Sequence, residues 1–336
     1  MNRSMRGAIT LILLLVSSIA FAGGAEEETS EYRLAWYASA VHPYFDSVQR
    51  GVEAFEADTG IEVHKQIGPD WTQDSQTQNL ETLAARGFTG FSVYPSDPGG
   101  ANSVYRELAD RGINIINFGT STTRPTPASF AVATDVKYAA QVATEELIKA
   151  MGGSGQILNV LEVITDANTI LRKEGIEEVV AQYPDVEIVQ EISDMTSIEE
   201  ATEKIENAIA AQRDVIDGII CTGYTTTVAA TQILNEINAE SREIAFVGID
   251  DDPVVLDAIR NGTIDMTIAQ NPFGHGYIPL MILKHMEDGY EPRDDVYFVN
   301  AGLAVVTADN VDSFSEDLQQ VTQEILATLT TDYLVK

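Results

Sequence analysis

Three side chains stand where a small polar molecule could be gripped. Arg172 lies early in a helical pattern, in DANTILRKEGIEEV, within a chain of 20 basic and 52 acidic residues. Its planar five-donor fork suits sugar hydroxyls or a carboxylate, though it could equally pair with nearby acids at the surface. Asp250 opens the run Asp250-Asp251-Asp252. Asp252, just before Pro253, reads as a helix cap, which leaves Asp250 unexplained at the end of an apolar run. Gln270, in TIAQNP, offers both a donor and an acceptor, or serves as a satisfied loop amide. Aromatic rings accompany them. His42, Tyr44 and Phe45 crowd the stretch AVHPYFDSVQRGVEAF, and Tyr94 and Tyr224 follow two other apolar runs. A pyranose or furanose has an apolar C–H face and a polar edge; rings cover the first, and Asp, Arg, Asn and Gln satisfy the second. Phe45 also belongs to the stripe Phe45, Val48, Val52, Phe55, so it reads as core as well. Asp97 in YPSDPGG, Thr120 in FGTST and Asn168 in TDANT add polar groups of the same kind.

Bond-breaking chemistry finds little support. There is no G-x-S-x-G elbow, and GGSG at 152–155 lacks the Lys-Ser/Thr of a phosphate loop. None of His42, His64, His275 and His285 forms H-E-x-x-H, and the three aspartates lack the spacing of a calcium loop. Cys221 is the sole cysteine, so no intramolecular disulfide can form; its apolar setting, IDGIICTG, marks a buried strand residue. No catalytic residue, no cofactor and no metal is expected.

The elements that must position these groups alternate. Apolar strand patterns fall at 33–38, 61–66, 90–94 and 113–118, with helical patterns at 43–59, 72–86 and 99–111 between them. From 136 the rhythm resumes, with strands at 156–161, 186–192, 216–221, 244–249 and 265–269. Helices are expected there at 136–151, 169–183, 197–212, 226–239, 252–261 and 274–288. Gly60, Gly87, Gly112, Gly152 and Gly262 stand at helix ends, where a left-handed residue is wanted. Alternation of this kind implies α/β architecture with parallel sheets covered on both faces. Some ten strands exceed one comfortable sheet, so two lobes are expected, and the Thr-, Ser- and Pro-rich segment 121–135 marks a possible border. In open α/β sheets ligands bind beyond the carboxyl ends of strands, which is where the residues above cluster.

Charge narrows the partners. The formal charge is −32, and loss of Arg3 and Arg6 with residues 1–22 makes it −34. That argues strongly against nucleic acid and anionic membrane surfaces as partners. Seven lysines against thirteen arginines, on so acidic a chain, suggest a protein suited to high salt. Arg3 and Arg6, the apolar run AITLILLLVSSIAFA and the small residues Ala20 and Ala22 make residues 1–22 a secretory signal peptide, cut after Ala22, with a flexible leader over 23–31. No cysteine lies near the cut, so a lipid anchor is not expected.

These segments, in this order, resemble the ribose-type periplasmic sugar-binding proteins of ABC importers over roughly 33–307. The carriers are HPYFDSVQRGVEAF, GFTGFSVYPSDPGG, GINIINFGTST, ATDVKYAAQVATEEL, LRKEGIEE, FVGIDDDPVVLDAIRNG and TIAQNPFGHG. The resemblance implies the type I periplasmic binding protein fold: two Rossmann-like lobes joined by three hinge crossovers near Thr134, Gln270 and Asn300. It puts 32–134 plus 271–299 in the N-terminal lobe and 135–270 plus 300–307 in the C-terminal lobe. Residues 308–336 form an extension adding a helix across the lobes. It also implies ligand contacts from His42, Tyr44, Phe45, Arg172, Asp250 and Gln270. The sequence departs from the family pattern where His42 and Tyr94 replace asparagines, Gly119-Thr120 replace an Asp-Arg pair, Gly223 replaces an asparagine, and Met195 replaces a second-lobe ring. The expected ligand is thus a monosaccharide or polyol other than ribose. TDANT is similar to relatives that bind autoinducer-2 or other sugars. The implied partners are that small molecule and a membrane permease of an ABC importer, and the chain is expected to be a periplasmic monomer. A sensor for a chemoreceptor or histidine kinase would use the same cleft. A repressor effector domain would need a DNA-binding N-terminus, and a secreted α/β enzyme would turn its ligand over.

Overall fold

The computed structural model describes residues 32–336, apart from residues 165, 241 and 242. The expected signal peptide and leader lie outside the described residues.

The first sheet is built by β1 (Leu34–Ala38), α1 (Pro43–Thr59), β2 (Val63–Ile67), α2 (Gln73–Ala85), β3 (Gly90–Val93), α3 (Ala101–Ala109), β4 (Asn114–Phe118) and β5 (Phe130–Ala133). The chain then crosses to a second sheet through α4 (Val136–Ala150). There follow β6 (Gly155–Val160), α5 (Ala167–Val180), β7 (Val186–Ile192), α6 (Ile198–Gln212), β8 (Gly218–Cys221) and α7 (Tyr224–Ile237). β9 (Ala245–Ile249), α8 (Pro253–Asn261) and β10 (Met266–Gln270) complete that run. After Asn271 it returns through α9 (Pro272–Glu287), β11 (Glu291–Pro292) and β12 (Phe298–Asn300). It crosses a third time at Ala301–Gly302 into β13 (Leu303–Val306). The orders are β12-β5-β4-β3-β1-β2 and β13-β10-β9-β8-β6-β7. Within these two sheets all pairs are parallel except β10–β13.

Why the strands read as unbroken apolar runs is plain from burial. Every residue of β1, LAWYA, is buried, because helices cover both faces of the sheet. Trp36 faces one side, packing with Phe45 and Phe118; Tyr37 faces the other, with Leu80 and Phe91. The five glycines at helix ends all have φ between 72° and 85°, the left-handed geometry that closes a helix.

Segment 121–135 is not a featureless border. It contains β5, whose four buried residues FAVA pair with β4 and β12. A four-residue strand flanked by Pro and Thr is too short to show periodicity. The helix expected at 169–183 begins at Ala167, because Asp166 caps it by accepting from the Thr169 amide. The tail forms α10 (Phe314–Thr328), a π-helical turn over Leu329–Tyr333 and β14 (Leu334–Val335), which pairs with β11. Phe314 and Leu318 pack in the core of the second lobe, whereas Ile325, Leu329 and Leu334 pack in that of the first.

Candidate functional site

The carboxyl ends of strands in the two sheets face each other: His42 after β1 meets Tyr224 after β8, and Thr120 after β4 meets Asn168 after β6. On the first-lobe side, His42 explains part of the crowding at the start of α1. Its backbone is extended and its Nδ1 accepts from the Tyr44 amide at 3.2 Å, so it is the helix cap, with Pro43 in the first turn. Beside it lie Trp71, which follows β2, and Tyr94, which follows β3. Phe45 sits 5.6 Å from Trp71 and 5.1 Å from Tyr94, and Trp71 and Tyr94 are 5.7 Å apart, ring centre to ring centre. Gly119, after β4, must lack a side chain: at φ 72°, a Cβ there would lie 2.6 Å from Tyr44 Oη and 2.9 Å from the Tyr94 ring.

The second-lobe side supplies charge. Asp250 follows β9 with φ 74°, a conformation held by three hydrogen bonds. Its amide donates to the Ile268 carbonyl at 2.9 Å, Thr267 Oγ1 donates to its carbonyl at 2.7 Å, and Gln270 Nε2 donates to its Oδ1 at 2.7 Å. Arg172, one turn into α5, is 7% exposed, and its Nε has no hydrogen-bond partner among the described residues. Glu162, after β6, accepts from the Thr225 amide at 2.9 Å. A Cβ on Gly223 would lie 2.3 Å from its carboxyl carbon, so Gly223 makes room for Glu162. Burial pushes the Glu162 carboxyl upward, against the Thr225 amide and Arg172, which favour the charged form. Asp251 is likewise raised by burial and by Asp250. The lobes touch. Thr120 Oγ1 donates to Asn168 Oδ1 at 3.1 Å, Asn168 Nδ2 donates to the Gly119 carbonyl at 3.3 Å, and His42 and Tyr224 meet edge to face at 5.7 Å.

A family model described as a periplasmic binding protein domain matches residues 36–291. The chain belongs to that family. Among relatives, a xylitol-binding protein of Mycolicibacterium smegmatis is 24% identical over 265 residues, 76% of this chain and 74% of the relative. A D-apiose import binding protein of Paraburkholderia graminis is 24% identical over 233 residues, 68% and 72% of the two chains. An ABC transporter solute-binding protein from Burkholderia graminis, solved with D-arabinose, superposes with a TM-score of 0.76 at 22% identity, covering 84% of this chain and 98% of that one. Another from Bacillus halodurans, solved with myo-inositol, gives 0.76 at 18% identity over 86% and 99%. The two-lobed fold is thus the type I periplasmic binding protein fold.

Within this binding protein the residues singled out from sequence divide by role. Arg172 and Asp250 both lie near Tyr44 and Tyr94, and Asp250 also lies near His42 and Tyr224 and accepts from Gln270. Phe45 is 1% exposed and backs the wall from the core; the ring offered to solvent is Trp71, 46% exposed. Thr120 and Asn168 spend polar atoms on each other across the lobes. Tyr224 Oη donates to Asp252 Oδ2 at 2.6 Å, so its ring edge, not its hydroxyl, is what it presents. Asp97 stands apart. It is exposed, and its Oδ1 accepts from the amides of Gly99 and Gly100 in the turn before α3. Sequence reasoning passed over Glu162, Trp71 and His275. Glu162 and Trp71 lie just past strand ends, and position alone could have flagged them. A depression of about 460 Å³ lined by Arg124, Arg293 and Tyr297 lies at the β5–β12 edge. Its guanidinium groups are occupied, Arg124 over the Tyr297 ring and Arg293 on Asp295, so it is not the candidate site. Among the described residues no group of His, Cys, Asp and Glu could hold a metal ion.

Proposed function

We propose that this chain is an exported solute-binding protein that captures a small sugar or polyol between its lobes and delivers it to an ABC importer permease. One observation carries the reading: a buried Arg172 Nε–H without an acceptor among the described residues accompanies the Asp250–Gln270 pair and an aromatic wall. An unmet buried donor costs ~1–3 kcal/mol, which a ligand hydroxyl would recover. Trp71 and Tyr94 would cover a C–H face, while Arg172, Asp250 and Gln270 take the polar edge. Ligand touching both lobes stabilises the closed form, and hinge motion at the three crossings releases it. The relatives named for xylitol binding and for D-apiose import favour a polyol or monosaccharide, and the second favours transport over sensing.

The mechanism is binding alone. Selectivity follows from the polar groups: a sugar lacking the matching hydroxyl leaves Asp250 or Arg172 unsatisfied, at ~1–3 kcal/mol each. A thermal-shift screen against xylitol, D-apiose, D-arabinose, myo-inositol and other sugars tests it, because ligand bound only by the native state raises its melting temperature. At least one sugar or polyol should do so, and none should be converted to product. A panel without any response would end the sugar reading.

A further inference from the structure

His275, fully buried in the first turn of α9, has a partner at each ring nitrogen. Nδ1 lies 2.7 Å from Tyr44 Oη, and Nε2 lies 3.4 Å from Thr134 Oγ1. Thr134 Oγ1 is also 2.9 Å from the Gly302 carbonyl. These residues mark all three crossings between the lobes: Thr134 the first, His275 the turn after Asn271, and Gly302 the third. Asn271 reinforces the same point, donating to the Ala301 carbonyl at 2.8 Å and to Thr322 Oγ1 of α10 at 2.9 Å.

Counting protons fixes the direction of this chain. A carbonyl only accepts, so the single Thr134 hydroxyl proton goes to Gly302. The Thr134 oxygen then turns lone pairs toward His275. Only a protonated Nε2 is satisfied there; a bare Nε2 would set lone pair against lone pair in a buried place. A neutral imidazole carries one ring proton, so Nδ1 is the acceptor and the Tyr44 hydroxyl must donate to it. Burial keeps the ring neutral.

We propose that His275 is a positioning residue which, as the Nε2–H tautomer, ties Tyr44 to the hinge and leaves the Tyr44 oxygen an acceptor only. A consequence for the ligand, resting on the sugar-binding reading above, is that any atom meeting Tyr44 Oη must be a donor. A hydroxyl passes; an ether or carbonyl oxygen does not.

The full chain labelled with ¹⁵N-histidine tests this by long-range ¹H–¹⁵N spectra, in which protonated and bare ring nitrogens are well separated. With four histidines in the sequence, loss of one set in His275→Asn assigns the signals. The expected spectrum has Nε2 protonated and Nδ1 bare. Tyr44→Phe should move Nδ1 and spare Nε2; Thr134→Val should do the reverse. A protonated Nδ1 in the wild-type chain, or a Tyr44→Phe spectrum with both nitrogens unmoved, overturns the proposal. A second arm uses xylitol, D-arabinose, D-apiose and myo-inositol as probes. His275→Asn, whose Oδ1 can still accept from Tyr44, should keep affinity within about threefold, and His275→Leu should lose about tenfold or more. Equal losses in the two variants overturn the positioning role. Silence of all four probes with the wild-type chain would count against the sugar reading, while the tautomer result stands independently.

Discussion

Replacing Arg172 with methionine separates binding from stability, because the structure sends the two in different directions. The side chain is 7% exposed with an Nε that has no partner among the described residues, so in the ligand-free protein that donor's burial goes uncompensated. Methionine fills similar space without a polar group. Relief of one orphaned donor is worth about 1–3 kcal/mol. Against this stands the lost attraction for Glu162, whose carboxyl Arg172 helps keep charged. The two effects offset, and the ligand-free variant should unfold within about 1–2 °C of the parent, the span of ~1 kcal/mol in a chain of this size. Binding has no such offset. A charged hydrogen bond contributes about 1.5–3 kcal/mol, so affinity should fall by roughly 10- to 150-fold at 1.4 kcal/mol per decade. Titration calorimetry with whichever sugar raises the melting temperature, beside a thermal melt without ligand, measures both. An affinity within about threefold of the parent would remove Arg172 from the site, and with it the main argument for a polar clamp.

Four further outcomes are expected. Burial raises the Glu162 carboxyl, so the folded state holds its proton more tightly than the unfolded one, and stability falls as pH climbs through the folded value. Glu162→Gln should therefore stabilise the ligand-free protein at about pH 8 and much less at about pH 4; an equal effect at both would contradict the assignment. His275 runs the other way. Its folded pKa is pushed down to about 3 by burial, so protonation in the unfolded chain drains stability as pH falls from about 6.5, by roughly 2–3 kcal/mol at about pH 4.5. Urea titrations should show His275→Asn losing that part of the acid sensitivity. Of two tryptophans, Trp36 is buried and Trp71 is 46% exposed, so ligand should change emission through Trp71 alone, and Trp71→Phe should abolish the signal while Trp36→Phe keeps it. A chain of charge −32 repels itself, so potassium chloride raised from about 0.1 to 1 M should raise the melting temperature by screening; a flat response would dispose of the high-salt expectation.

The sequence by itself determined the class of fold and the edge of each sheet at which its polar and aromatic strand-end residues gather. Alternating apolar runs and 3.6-residue stripes are local, so β1, α1 and their successors are written in neighbouring residues. Parallel strands share one direction, so whatever follows each strand gathers at one edge, and Asp250, Gln270, Tyr94 and Tyr224 could be placed there without coordinates. Short FAVA escaped notice because four residues among prolines and threonines carry no period; only pairing with β4 and β12 makes it a strand. Tertiary structure alone decided what each polar group is free to do. Asp97 and Tyr224 look available in the sequence, yet one caps a turn and the other's hydroxyl is taken by Asp252. Glu162 became a cleft carboxylate because Gly223, 61 positions along the numbering, leaves the space for it. His275 joins Tyr44 to Thr134 across 231 and 141 residues of sequence. Hydrogen-bond partnership is settled by proximity in space, and no period in the chain encodes a partner that distant.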